Sequence, residues 1–135
     1  MILGFDPGRD KCGVAVLNSD RQIQMHQVLT SDEAISTIKS LIDQYQIDFI
    51  VIGDQTTSKI WHQKLTDNLP ETTIKFIDER NSSLEARDRY WELYPPQGLQ
   101  KLIPQSLRIP PRPIDDIVAI LLIERYLSSS HPSEY

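Results

Sequence analysis

This chain has a single cysteine. Cys12 cannot form an intramolecular disulfide or, by itself, a cysteine zinc site, which fits a reducing compartment and a small core residue. Long hydrophobic runs are missing too: the longest, residues 117–123, falls far short of the ~20 apolar residues a membrane-spanning helix needs. The opening Met1-Ile2-Leu3-Gly4 lacks the basic segment and cleavage site of a signal peptide, so the expectation is a cytoplasmic protein with no membrane partner. No low-complexity tract and no repeat period is present. A basic excess is also lacking. The net charge of −5 argues against nucleic-acid binding by bulk electrostatics alone, but residues 80–113 hold six bases (Arg80, Arg87, Arg89, Lys101, Arg108, Arg112) against three acids (Glu85, Asp88, Glu92). A local basic strip beside an acidic pocket is compatible with that distribution.

What is there is the composition of one ordinary globular domain. The chain has 135 residues, 39% of them hydrophobic and 24% charged, enough to bury one core over residues 1–135, with 128–135 expected as a frayed tail. Residues 2–6, 13–17 and 23–29 read as three antiparallel strands, the last two joined by a turn at Asn18-Ser19-Asp20. Thr30 or Ser31 offers a cap for a helix to about Tyr45, whose Ile35, Ile38, Leu41 and Ile42 keep one face apolar. Residues 48–54 form an almost wholly apolar run, expected as a parallel strand buried on both faces at the centre of the sheet. A short helix over 58–69, a strand over 73–78 and a helix over 84–93 started by Ser82 or Ser83 follow. The proline-rich residues 95–113 cannot be regular and are too long for a simple connector. A final apolar helix over about 115–127 should pack deeply. The expected class is α/β, a five-stranded mixed sheet with the order β-β-β-α-β-α-β-α-α and helices on both faces.

Three acids stand at the ends of apolar elements: Asp6 in Gly4-Phe5-Asp6-Pro7-Gly8, Glu79 in Phe76-Ile77-Asp78-Glu79-Arg80, and Asp115 or Asp116 in Ile114-Asp115-Asp116-Ile117. Gly4 and Gly8 are expected to leave the backbone around Asp6 bare for a phosphate or metal. In this topology the three elements meet at one sheet edge. Mg²⁺ and Mn²⁺ prefer hard oxygen ligands, and two ions about 3.5–4 Å apart suit cleavage of a nucleic-acid phosphodiester. Each acid also has a simpler reading. Asp115 fits an N-cap and Asp116 a first-turn acid, and Asp6 alone would fit a turn before Pro7-Gly8. Glu79 shares its parity with Lys75 and Ile77, so it and not Asp78 is expected in the pocket; Asp78 should pair with a base or cap the following turn. Thr56, Thr57, Ser58 and Lys59 follow a buried strand where a helix amino terminus can bind phosphate, though they also fit plain caps. His26, His62 and His131 lack ligand spacing and read as structural or surface residues, and Trp61, Tyr90 and Trp91 as core or interface.

These residues carry a resemblance to the RuvC/YqgF group of the RNase H-like superfamily, closest to the YqgF branch, over nearly the whole chain. The carrying motifs are Gly4-Phe5-Asp6-Pro7-Gly8 with Gly13-Val14-Ala15-Val16, then Asp78-Glu79-Arg80, then Asp115 with Ala119 and the apolar helix to Tyr126. The resemblance implies an RNase H-like fold and a metal-binding catalytic set of Asp6, Glu79 and an acid of the last helix. Asp115 aligns with the YqgF acid and is preferred; Asp116, three residues before Ala119, has the RuvC spacing and stays the alternate. The sequence departs from the family at Asp10-Lys11, Gly53-Asp54-Gln55 and Asn81-Ser82-Ser83. Members are described as Holliday-junction resolvases and as nucleases maturing the 5′ end of 16S rRNA. The expectation is thus a Mg²⁺- or Mn²⁺-dependent endonuclease on branched DNA or precursor rRNA, with Arg9, Lys11 and Arg80 as phosphate contacts. A resolvase cutting two strands symmetrically should be a homodimer. The alternative is a catalytically silent nucleic-acid-binding or assembly protein that keeps the fold.

Overall fold

The structure, a computed structural model, describes residues 1–54 and 56–128, and of residues 56–58 the backbone alone. Its five strands are β1 (Ile2–Asp6), β2 (Lys11–Leu17), β3 (Ile23–Thr30), β4 (Phe49–Gly53) and β5 (Thr73–Ile77). The helices are α1 (Ala34–Tyr45), α2 (Thr56–Asn68), α3 (Ser82–Leu93) and α4 (Asp115–Ser128). The expected tail beyond Ser128, with His131, lies outside the described residues.

The strands form one sheet in the order β3-β2-β1-β4-β5. β1 is antiparallel to β2 and parallel to β4, which is in turn parallel to β5. The centre is therefore β1, and β4, expected there, lies one place out. The opening meander leaves β1 with one open edge; the crossover through α1 places β4 on it, and the crossover through α2 adds β5 outside β4.

Alternating side chains sort into two cores. Leu3, Phe5, Val14, Val16, Ile50 and Ile52 face α1 and α2, where Ile38, Leu41, Trp61 and Leu65 close the layer. Ile2, Ala15, Leu17 and Val51 face α3 and α4. Ile117, Ile120, Leu122 and Ile123 of α4 are wholly buried, each contributing about 1.5–3 kcal/mol by leaving water. Cys12 is a buried core residue, as expected. Among the described residues no helix is long and apolar enough to cross a membrane.

Some local expectations fail. The Thr30 and Ser31 hydroxyls do not cap α1, which is preceded by a 3-10 turn over Ser31–Glu33. Ser31 Oγ instead donates to the carbonyls of Gly8 and Arg9 (2.9 and 2.7 Å), tying down the β1–β2 turn, and Thr30 Oγ1 donates to Glu33 (2.8 Å). At α3 the residue before the first turn is Asn81, in the left-handed region with φ 59, and not Ser82 or Ser83. Gly4 and Gly8 do not leave space for a ligand. A Cβ at Gly4 would strike the Ala119 carbonyl and the Ile123 side chain of α4, and one at Gly8 would strike the Lys11 carbonyl. Residues 95–113 are irregular apart from 3-10 turns over Gly98–Leu102 and Gln105–Leu107.

Candidate active site

Asp6 ends β1 on the face covered by α3 and α4, because it shares the parity of Ile2 and Gly4. Across the sheet it is paired with Gly13 of β2, and on its other side Gly53 of β4 stands one step beyond the Phe5–Ile52 pair. The aspartate is thus flanked by two residues without side chains. That bare row admits two other elements. A Cβ at Gly13 would overlap the Asp115 carbonyl, so the first turn of α4 rests directly on β2; a Cβ at Gly53 would overlap the Glu79 carboxyl group, so that carboxylate lies over β4. The structure brings Asp6, Asp115 and Glu79 together at the end of the central strand.

The electrostatics express this crowding. Burial, then the charges of Asp115 and Glu79, then a hydrogen bond shared with Asp115, push the Asp6 carboxyl up to about 8. Burial and the charge of Asp116 raise Asp115, while Lys11 and the bond to Asp6 act the other way. Asp6 and Asp115 therefore share a proton in the absence of a cation. As the side chains are turned, no three His, Cys, Asp or Glu among the described residues form a group placed to hold one ion. Mg²⁺ ordinarily takes one or two carboxylates and completes its shell with water and phosphate, so the hard-oxygen pair of Asp6 and Asp115 with Glu79 beside it fits such an ion.

Asp116 goes elsewhere. Only 2% exposed, its Oδ2 lies 2.7 Å from His26 Nδ1, and its Oδ1 accepts from Arg112 Nη1 (2.9 Å) and from the Ile117 amide (3.0 Å). Burial alone would raise its pKa, but His26 and Arg112 outweigh burial and lower it. Consecutive helical residues point about 100° apart, so only one of the two aspartates can face Asp6. It is Asp115. His26 is structural, with Tyr94 OH 3.0 Å from its Nε2.

Asp78 caps the turn after β5, accepting from the Arg80 amide at 2.9 Å and from its guanidinium at 3.2 Å. Arg80 is otherwise open to solvent. Lys11 is exposed at the start of β2, near enough for its charge to act on Asp115. Arg9 lines an open cleft of about 350 Å³ with Gly8, Ser31, Ile60, Trp61 and Lys64. Lys59 is exposed on α2, and the Ser58 side chain lies outside what the structure describes. Lys11 thus acts on the acidic group, whereas the cleft at Arg9 and the helix bearing Lys59 lie on the α1–α2 side of the sheet, opposite the face of Asp6.

Arg125 was not singled out by the sequence. From α4 its Nη1 donates to the Asp78 carbonyl (2.8 Å) and its Nη2 to the Arg80 carbonyl (2.7 Å), and it also pairs with Glu85. It grips the chain on both sides of Glu79. An arginine late in an apolar helix gives no local sign of this, because its partners lie some 45 residues back.

A mixed five-stranded sheet with acids from β1, the segment after β5 and the last helix meeting at one edge defines an RNase H-like nuclease. The family model described as "RuvX: Holliday junction resolvase" matches residues 1–129, so the chain belongs to this family of nucleic-acid-cutting enzymes. The chain is 30% identical over 156 residues to a Psychrobacter sp. (strain PRwf-1) protein named "Putative pre-16S rRNA nuclease", across 99% of this chain and 81% of that one. A protein of the same name from Dictyoglomus thermophilum is 24% identical over 143 residues, across 96% of each. The solved complex of Fowlpox virus resolvase with Holliday junction DNA shares the fold at a TM-score of 0.53 and 16% identity, over 93% of this chain and 95% of that one.

Proposed function

We propose that the chain is a Mg²⁺- or Mn²⁺-dependent endonuclease that hydrolyses phosphodiester bonds in structured nucleic acid, with Asp6, Asp115 and Glu79 as the metal-holding residues. The single observation that carries this reading is the bare Gly13–Asp6–Gly53 row, on which two more carboxyl-bearing segments settle. When bound, the ions would supply an activated water and charge stabilisation for the leaving oxygen. The chain supplies the rest. Gly13 and Gly53 set the spacing of the acids, Arg125 fixes the backbone around Glu79, and Arg9, Lys11, Lys59 and Arg80 offer cations to the flanking phosphates. Asp116 acts behind the site, holding the first turn of α4 through His26 and Arg112.

The names of the relatives point to two substrates, precursor rRNA and four-way DNA junctions, and the two-ion chemistry serves both. The test is cleavage of an end-labelled four-way junction and a 16S-precursor-like RNA, with Mg²⁺ or Mn²⁺, by the native protein and Asp6→Asn. Cutting of either that disappears in the variant supports the proposal. No metal-dependent cutting of either, with binding retained, would make this a silent binding protein. Symmetric cutting of the junction would require two copies about a two-fold axis, so the mass of the protein–junction complex is the companion readout for a homodimer.

A further inference from the structure

Residues 95–113, the strap between α3 and α4, hold three bases (Lys101, Arg108, Arg112) and no acid, in a chain whose net charge is −5. The strap is cinched at its base. Tyr94, just before it, bonds His26; Arg112, near its end, bonds Asp116 and lies over the Tyr90 and Tyr94 rings at 5.4 and 5.8 Å. Along its length Arg108 Nε donates to the Gln100 carbonyl (2.9 Å), Arg87 of α3 donates to the Arg108 carbonyl (3.0 Å), and Gln105 donates to Asp88 (3.0 Å). A segment pinned at so many points has a defined shape.

Its aliphatic side chains nevertheless turn away from the core. Leu99 is 81% exposed, Leu102 80%, Ile109 77% and Leu107 68%. Folding gains nothing from four large apolar side chains left in water, and such a patch marks a surface for a partner. Two features select that partner. Arg112 is paired with Asp116, but Lys101 and Arg108 have no acid partner among the described contacts, which suits a polyanion, and the last residue of the strap lies two positions before Asp115. Aliphatic side chains pack on the faces of bases that have left the stack, while nearby cations meet the phosphates.

Resting on the function proposed above, we infer that the strap is a second contact surface for the substrate, taking unpaired or splayed bases beside the scissile phosphate. Two copies joined strap to strap about a two-fold axis would set like charge against like, so an isologous dimer does not suit this face.

The test uses two double variants, Leu99→Ser with Leu102→Ser and Leu107→Ser with Ile109→Ser, at positions exposed enough to leave the fold intact, as thermal melts would verify. Binding is measured in an Asp6→Asn background to stop cutting, on a four-way junction, a bulged RNA and a fully paired duplex. 2-Aminopurine placed beside the cut site reports unstacking. The expected result is binding to the junction and bulged RNA weakened about tenfold or more, duplex binding unchanged, and loss of the fluorescence rise given by the native strap. A native protein that cuts, with variants that bind and unstack as it does, would overturn the strap alone. So would variants that change only self-association, or only the binding of an acidic protein. A native protein that binds none of the three nucleic acids would remove the proposed function and the strap's role with it.

Discussion

Asp6 holds its proton to about 8 in the metal-free protein, and that value fixes the sign of a pH effect. An acid whose folded pKa lies above its ordinary value of 3.8 stabilises the fold fully below that value. The contribution is lost as pH climbs through about 8, a change of several kcal/mol at most. Asp115 is raised too and works in the same direction, whereas Asp116 is lowered and loses its contribution only as pH falls through the acid range. The metal-free protein should therefore melt at progressively lower temperature between pH 5 and pH 8, and Mg²⁺ or Mn²⁺ should restore stability at pH 8. Asp6→Asn should flatten the fall while abolishing cleavage. Melts across pH with and without metal decide it, and a slope unchanged by the substitution would reject the assignment. Gly53 offers an independent check at the same scale. Gly53→Ala puts a methyl where the Glu79 carboxyl lies and should cost about 1–3 kcal/mol in denaturant melts, with cleavage reduced by about tenfold or more.

At the scale of elements, α4 organises the site. It carries Asp115 on its first turn, Asp116 behind it, and Arg125 more than two turns later gripping the segment after β5. Asp116→Ala would leave Arg112 and His26 facing an empty buried place, and removing one partner of a buried pair costs about 3–5 kcal/mol. Chemical denaturation should show a loss of that order; a loss below about 1 kcal/mol would mean the group is better solvated than its burial indicates. Arg125→Ala frees two carbonyls beside Glu79. It should lower stability by about 1–3 kcal/mol and raise the metal concentration needed for half-maximal cleavage, while Arg125→Lys, lacking the planar fork, should restore little of either. A metal titration of the two variants separates positioning of Glu79 from a general loss of folding.

At the scale of the whole molecule, an acidic chain binds a polyanion only through local cations. Arg9, Lys11, Lys59 and Arg80 are the proposed phosphate contacts, and the strap adds Lys101, which is exposed. With so few phosphate contacts, affinity should fall with salt on a shallow slope, losing about one contact's share for each of Arg9→Ala and Arg80→Ala. Binding isotherms over a range of salt measure this. A steep slope unaffected by either substitution would place the interface elsewhere.

The sequence by itself determined the order of elements and pointed to the acids now proposed for the site. Strand and helix periodicity is local, and a carboxylate at or just past the end of an apolar strand is conspicuous, so Asp6 and Glu79 could be proposed from their neighbours alone. Parity also favoured Glu79 over Asp78, but β5 ends at Ile77, so the placing of Glu79 over Gly53 belongs to the segment that Arg125 grips and not to the strand. Tertiary structure decided what depends on contacts across the chain. β1 and not β4 is central, because strand order follows from where crossovers land. Asp115 and not Asp116 faces Asp6, because α4 rests on Gly13 and the helix turns Asp116 toward His26 and Arg112. The duties of Gly4, Gly53 and Arg125 were invisible for the same physical reason: a residue's partner 26 or more positions away in sequence leaves no trace in its own neighbourhood until the chain has folded.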